Sequence, residues 1–286
     1  MRLGGTGVWA HQLRYGDPGA IAEMAVELDE LGYDALWIPD VGGDVLGSVE
    51  TLLRAAPRAV VATGVLNIWM HEPDEIAAQV GGWDDAWKAR FLLGLGVSHA
   101  PLIDHGHPGR YNKPYSKMFD YLDGLDAAHP PVTQDARVLA ALGPRMLELA
   151  RDRAAGAHPY FVPPEHVAAA RSVLNPTSLI AVEVAVVLDP VPSSARATAR
   201  RYTATYVNLP NYTNNLRRFG YEDDDFADGG SDHLIDGIVA WGDLDAIVSR
   251  VQQMRDAGAD HVCVQVVRAD DDVPRADWRE LAAVLL

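Results

Sequence analysis

Residues 60–73, VVATGVLNIWMHEP, and residues 90–101, RFLLGLGVSHAP, decide the fold. Each begins as a short, almost wholly apolar run and ends in a polar loop carrying Asn, His or Ser. A strand that is apolar throughout is buried on both faces, as in a parallel sheet covered by helices. Two such strands in parallel deliver their polar groups to one rim, where they stop.

Six more runs of this kind flank the pair: VWA (8–10), ALWIP (35–39, reaching Asp40), ARVLAAL (136–142), GAHPYFV (156–162), SLIAVEVAVVLD (178–189) and HVCVQVV (261–267). Between the eight lie amphipathic stretches at 18–31, 73–88, 144–155, 163–174 and 243–257. Several carry Pro at or near the first turn, where its missing N–H costs no hydrogen bond. Gly32 and Gly258, in the similar phrases LDELGYDALWI and MRDAGADHVCV, fit helix C-caps that lead straight into a strand. Eightfold strand–helix alternation predicts a (β/α)8 TIM barrel occupying residues 1–286 as one domain. A doubly wound sheet competes, but its G-x-G-x-x-G turn is missing and GGTGVW (4–9) is a weak match. Residues 209–241, rich in Asn, Asp and Gly, are long for a connection and read as an insertion between strand seven and the helix before strand eight.

With 286 residues and 48% hydrophobic content the chain can bury a large core. It has no apolar run of membrane-spanning length and no targeting signal at residues 1–7, so a soluble cytoplasmic protein is expected. Cys263, the only cysteine, excludes an internal disulfide and reads as a buried inert thiol. A net charge of −16 repels nucleic acid and anionic membranes, leaving a small molecule as the expected partner. The acidic runs 222–228 and 270–272 read as solvated loops. His105 and His107 lack the spacing and partners of a metal site, so no metal is expected; no G-x-S-x-G elbow or Walker lysine motif exists.

Trp9, His11, Trp69 and Tyr160 fall at strand ends and are candidates for the wall of a substrate pocket, with core filling as the other reading. LGPRML (142–147) follows a strand and opens a helix; its free N–H groups and dipole suit a phosphate, and Arg145 adds charge, although an ordinary strand-to-helix turn also fits. NYTNN (211–215) reads either as lid contacts or as a turn-forming loop.

The phrases LGYDALWIPD, ATGVLNIWMHEP, LLGLGVSHAPL, VLAALGPRMLELARDRAAGAHPYFVPPEH, LPNYTNNLRRFGY, GGSDHLIDGIVAWGD and AGADHVCVQV together resemble the luciferase-like monooxygenase superfamily, most closely its branch of coenzyme F420-dependent oxidoreductases. The resemblance covers nearly the whole chain. It implies a cis peptide at Gly64-Val65 pressed against the deazaflavin or flavin ring; without it, Gly64 reads as a bend in a strand. It implies Asp40 beside the ring's polar edge, and His99 where some relatives hold a proton-donating glutamate. An imidazole suits that role near neutral pH, or else hydrogen-bonds cofactor or loop without chemistry. Asn67 and Ser98 are expected at the ring, Leu142, Gly143, Arg145 and Met146 at the cofactor phosphate, and His158 and Pro159 along the same channel.

Some relatives carry a catalytic histidine after the acid, where this chain has Val41. The resemblance thus implies hydride transfer between coenzyme F420 and an unidentified organic substrate, with an FMN-dependent monooxygenase as the alternative and a non-catalytic cofactor-binding barrel as a reading from another class. It also implies a homodimer.

Overall fold

The computed structural model describes residues 3–105, 107–270 and 272–286. Met1 and Arg2 of the N-terminal stretch, Gly106 between the two histidines, and Asp271 of the acidic run 270–272 lie outside the described residues.

Ten parallel strands are present among these residues: β1 (Thr6–Trp9), β2 (Ala35–Ile38), β3 (Val60–Thr63), β4 (Leu66–Asn67), β5 (Phe91–Gly96), β6 (Arg137–Leu139), β7 (Gly156–Ala157), β8 (Leu179–Leu188), β9 (Ala240–Gly242) and β10 (His261–Val266). β10 pairs with β1 on one side and β8 on the other, so the sheet closes into a barrel. β3 and β4 are two halves of one stave against β5, joined by the cis Gly64-Val65 peptide. The eight staves coincide with the eight apolar runs. β9 lies outside that count and pairs with the far end of β8, Val186 opposite Ala240.

Alternation along each stave separates two cores. In β2, Ala35 and Trp37 join Leu92, Val138, Ala181 and Cys263 in the barrel lumen, whereas Leu36 and Ile38 face the surrounding helices. Trp37 is fully buried, stacks on His158 at 4.2 Å and donates its indole N–H to His261 Nε2 at 3.1 Å. Cys263 is buried beside it, as expected of an inert thiol.

The helices are α1 (Pro18–Leu31), α2 (Val45–Ala55), α3 (Pro73–Gly81), α4 (Asp85–Lys88), α5 (Ala100–Ile103), α6 (Pro114–Ala127), α7 (Pro144–Arg153), α8 (Pro164–Val173), α9 (Pro192–Tyr206), α10 (Pro210–Arg217), α11 (Asp232–Ile238), α12 (Leu244–Asp256) and α13 (Arg275–Leu285). Pro occupies the first turn in eight of them, α1, α3, α5, α6, α7, α8, α9 and α10. Asp17, Asp44 and Asp243 cap α1, α2 and α12 by accepting backbone N–H bonds, each such cap being worth about 1 kcal/mol. Gly32 caps α1 at φ +98, as its place in the sequence required. Gly258 stands one residue beyond the cap of α12, at φ +112.

One expectation needs correction. The single helix expected over 73–88 divides into α3 and α4, because Gly81 and Gly82 interrupt it with two residues of low helix propensity. The insertion 209–241 lies where expected, between β8 and α12, and is built of α10, a 3-10 segment at Asp223–Gly229, α11 and β9. Its apolar residues, among them Leu216, Leu234 and Ile235, form a separate core with Phe161 above the end of β8.

Candidate active site

The C-terminal ends of the staves and the helical insertion enclose a cavity of about 690 Å³. This lies within the range of small-molecule and cofactor sites. Of the residues singled out in the sequence, Trp9, Asp40, Gly64, Val65, Asn67, Ser98, His99, Leu142, Gly143, Arg145, Met146, His158 and Tyr160 line it. His11, Trp69 and Pro159 do not. His11 is turned to the exposed start of a 3-10 segment, His11–Leu13. Trp69 braces the wall from behind, its indole N–H donating to the Val97 carbonyl at 2.7 Å. Pro159 is buried with its carbonyl accepting from the Glu183 N–H at 3.0 Å, so it belongs to the sheet.

The floor is backbone. The Gly64 carbonyl accepts the Trp9 indole N–H at 3.1 Å, and a Cβ on Gly64 would stand 2.5 Å from Trp9 Nε1 and 3.1 Å from His158 Nε2. Only glycine leaves this shelf bare. His158 is 1% exposed and donates Nδ1–H to the Ala181 carbonyl at 2.7 Å. Burial pushes its imidazole down to about 4, so Nε2 is a bare acceptor, buried beside Gly64 without a hydrogen-bond partner among the described residues.

Asp40 ends the β2 stave with its carboxylate fully buried. Burial would raise its pKa, but hydrogen bonds from His71 (2.8 Å) and the Asn67 N–H (3.0 Å), with a weaker one from Gly42 N–H, outweigh burial and hold it below the ordinary carboxylate range. Arg14, 2% exposed in its side chain, adds a contact at 3.4 Å. An acid held ionised and so fully engaged is a clamp between the β2, β4 and Arg14 segments. Held ionised, it suits positioning more than proton donation.

His99 caps α5 with its Nδ1 buried and unpartnered, its ring 4.7 Å from that of Tyr212. Burial lowers its imidazole to about 4, so it is neutral at physiological pH and the protonated form expected of a general acid is disfavoured. Ser98 sits at φ +55, and its carbonyl accepts Asn211 Nδ2 at 2.9 Å and the Tyr111 hydroxyl at 3.4 Å. The α10 helix is thereby tied to the loop after β5, so NYTNN serves as lid contact within a helix and not as a turn.

At the far end, α7 begins at Pro144 with no side-chain cap. Arg145 lies over the Tyr115 ring at 4.3 Å, and Arg218 reaches the Leu142 carbonyl at 3.2 Å. Among the described residues neither guanidinium pairs with a carboxylate. In a chain of net charge −16 two such guanidinium groups beside a helix N-terminus could hold an anion.

Sequence reasoning missed Arg14, His71, Tyr111, Tyr206 and Arg218. His71 was readable in the WMHEP loop after the third stave. Tyr111 comes from the loop before α6, Tyr206 from α9 and Arg218 from the C-cap of α10, whose placement over the barrel no local pattern reveals. Among the described residues no group of three or more His, Cys, Asp or Glu side chains could hold a metal ion, and no helix is long and apolar enough to cross a membrane.

Comparison with known proteins places this geometry in context. The family model of the luciferase-like monooxygenases matches residues 3–135. A 4-hydroxyprotoasukamycin monooxygenase of Streptomyces nodosus subsp. asukaensis is 27% identical over 122 residues, 39% of this chain and 33% of that protein. A Mycobacterium tuberculosis protein, assigned as the coenzyme F420-dependent oxidoreductase Rv3520c, is 24% identical over 200 residues, 57% of this chain and 56% of that protein. The chain thus spans about a third and just over half of these relatives' lengths.

Among solved structures, a coenzyme F420-dependent tetrahydromethanopterin reductase from Methanopyrus kandleri superposes with a TM-score of 0.77 at 16% identity, covering 99% of this chain and 98% of that one. An F420-dependent secondary alcohol dehydrogenase in complex with an F420-acetone adduct gives 0.74 at 13%, covering 99% of each chain. The FMN-bound oxygenating constituent of 3,6-diketocamphane monooxygenase from Pseudomonas putida gives 0.71 at 14%, covering 99% and 96%. At these identities the likeness establishes the fold.

Proposed function

We propose that the chain, whose residues 3–135 match the family model of the luciferase-like monooxygenases, is an F420-dependent oxidoreductase moving a hydride between C5 of the deazaflavin and a small organic substrate. One observation carries the reading: a single cavity joins a side-chain-free shelf at Gly64 to an anion site at Arg145 and Arg218. A tricyclic ring with a phosphate-bearing tail needs both. The bare Nε2 of His158 and the open space around Gly143, where a Cβ would meet nothing within 4 Å, fit such a group. The longer of the two curated alignments, to the F420-dependent oxidoreductase, supports the choice of cofactor.

When bound, the deazaflavin supplies the two-electron step. The chain's own share is placement and protection. Gly64, Val65 and His158 support the ring, and Asp40 fixes the loop bearing Asn67 through that residue's N–H. Leu142, Gly143, Arg145 and Met146 hold the phosphate end, and α10 excludes water, which strengthens every polar contact inside. Trp9, Tyr160, Tyr206 and Tyr212 offer an aromatic wall to an apolar or flat substrate. A homodimer belongs to the same reading and is checked by light scattering.

The monooxygenase relative and the FMN-bound neighbour favour FMN as the second reading. Titrating the purified protein with F420 and with FMN, followed by fluorescence, separates the two. Tight F420 binding with FMN at least tenfold weaker supports the proposal. A yellow, FMN-retaining protein that consumes oxygen overturns it.

A further inference from the structure

Glu183 lies in the middle of β8, opposite Cys263 of β10, and only 2% of its surface is exposed. Oε2 accepts the Phe161 N–H at 3.4 Å, and Oε1 has no hydrogen-bond partner among the described residues. The groups that face it are Tyr160 after β7, Tyr202 and Tyr206 of α9, Tyr212 of α10 and Cys263 of β10. None is a cation. Burial therefore pushes the carboxyl up to about 8, with the Phe161 N–H and the Tyr202 hydroxyl pulling only partly against it. A buried acid with no ion partner costs stability that a leucine would not, which calls for a use.

The hydroxyls beside it form a chain. Tyr202 donates to the Tyr160 hydroxyl at 3.0 Å, Tyr160 shares a hydrogen bond of 2.8 Å with Tyr206, and it also reaches Gln265 Oε1 at 2.8 Å. Tyr160 and Tyr206 line the cavity, and Tyr160 packs against Trp9 at 5.4 Å. Tyr202 stands next to the carboxyl, so turning a carboxyl O–H toward its hydroxyl is the one movement needed for a path from the barrel lumen to the substrate wall. Of the other groups at the cavity, His99 and His158 are held neutral and Asp40 is held ionised.

We propose that Glu183 is the proton store of the site, exchanging one proton per turnover with the substrate through Tyr202, Tyr160 and Tyr206. This rests on the hydride-transfer reading above. In reduction, the hydride with its electron pair goes from the reduced deazaflavin to a substrate carbon. The proton that completes the product leaves a cavity-lining tyrosine hydroxyl, which is restored through Tyr202 as the Glu183 O–H breaks. The carboxylate left behind regains a proton from solvent along the same hydroxyls once product departs. In the oxidising direction every transfer reverses. Glu183 and Tyr202 are relay residues; Tyr160 and Tyr206 touch the substrate.

The test needs no cofactor in its first arm. Carbon-13 NMR of the apo protein labelled at glutamate carboxyls should show one resonance titrating near pH 8. That resonance should be absent in Glu183→Gln and have its midpoint moved upward in Tyr202→Phe. The second arm uses the holoenzyme with F420 and cyclohexenone as a probe. Glu183→Gln, Tyr202→Phe and Tyr160→Phe should bind F420 within twofold of wild type, yet each should lose on the order of 10²-fold in the rate of the reductive step. The alkaline limb of the pH profile should vanish, and the Glu183→Gln/Tyr202→Phe double variant should be no slower than either single one. Tyr160→Phe, at the cavity edge, keeps the test alive if Glu183→Gln fails to fold. A carboxyl that does not titrate near pH 8, or whose midpoint ignores Tyr202→Phe, overturns the store, as does a wild-type pH profile in the variants. Failure of wild type to bind F420 sinks the cofactor reading alone, and the NMR arm still decides the store.

Discussion

At the scale of single residues, the shelf and the clamp make the sharpest demands. Gly64→Ala would place a methyl 2.5 Å from Trp9 Nε1 and 3.1 Å from His158 Nε2, so indole and shelf must separate. Overpacking of this kind costs about 1 to 3 kcal/mol. The expected outcome is a folded protein of lowered Tm that binds cofactor at least tenfold more weakly, read by thermal melts and fluorescence titration. Asp40→Asn removes the charge that Arg14 and His71 face in a buried site. Breaking a buried pair costs roughly 3 to 5 kcal/mol, and the low end is expected because Arg14 keeps the Gly42 and Gly43 carbonyls as acceptors. Urea unfolding measures it. Because the folded pKa of Asp40 is depressed, its contribution is present above the ordinary value of 3.8 and lost as pH falls through the lower folded value.

At the scale of elements, the α7 N-terminus and α10 act on the same end of the cavity. Arg145 rides on Tyr115 and Arg218 is carried by α10, so the anion site forms only when that helix sits over the barrel. A charge-assisted hydrogen bond contributes about 1.5 to 3 kcal/mol. Arg218→Ala should therefore weaken F420 binding roughly tenfold to a hundredfold, with much less effect on a deazaflavin lacking the phosphate, as paired titrations would show. An equal loss for both ligands would remove phosphate binding from that arginine. Asn211→Ala cuts the tie between α10 and the Ser98 carbonyl, and is expected to raise hydrogen exchange in α10 while leaving the barrel strands protected.

Across the whole molecule, four buried or half-buried histidines, His99, His158, His166 and His261, are each pushed down to about 4 by burial. The unfolded chain takes up those protons first as pH falls below 6.5, so stability drops between pH 6.5 and 4 by about 1.4 kcal/mol per pH unit for each proton. Glu183 works the other way. Its folded pKa is raised, so its contribution is complete below 4.5 and is lost as pH rises toward about 8. Stability should thus peak near pH 6.5, and Glu183→Gln should flatten the alkaline side and steepen the rise between pH 4.5 and 6.5; unfolding free energies measured from pH 4 to 9 check both limbs.

The alternation of apolar runs with proline-led helices, and the aspartates and glycines at their ends, determined the eight staves, because helix caps and buried parallel strands are local physics written in consecutive residues. The rim after each stave was legible for the same reason, since in a barrel the chain must place those residues on one face, whereas Gly64, Asn67 and His158 were named from the resemblance to a known family. What only the tertiary structure decided was the meaning of those groups. Asp40 became a clamp because Arg14 and His71 converge on it, and His99 became a neutral imidazole because burial removed its water. The insertion hid three helical segments and a strand behind a loop-like composition, since its apolar side chains find a core only against Phe161 and the end of β8. Glu183 stood unremarked inside an apolar run. Charge state, burial and contact depend on residues far apart in sequence, and only the closed barrel brings them within reach of one another.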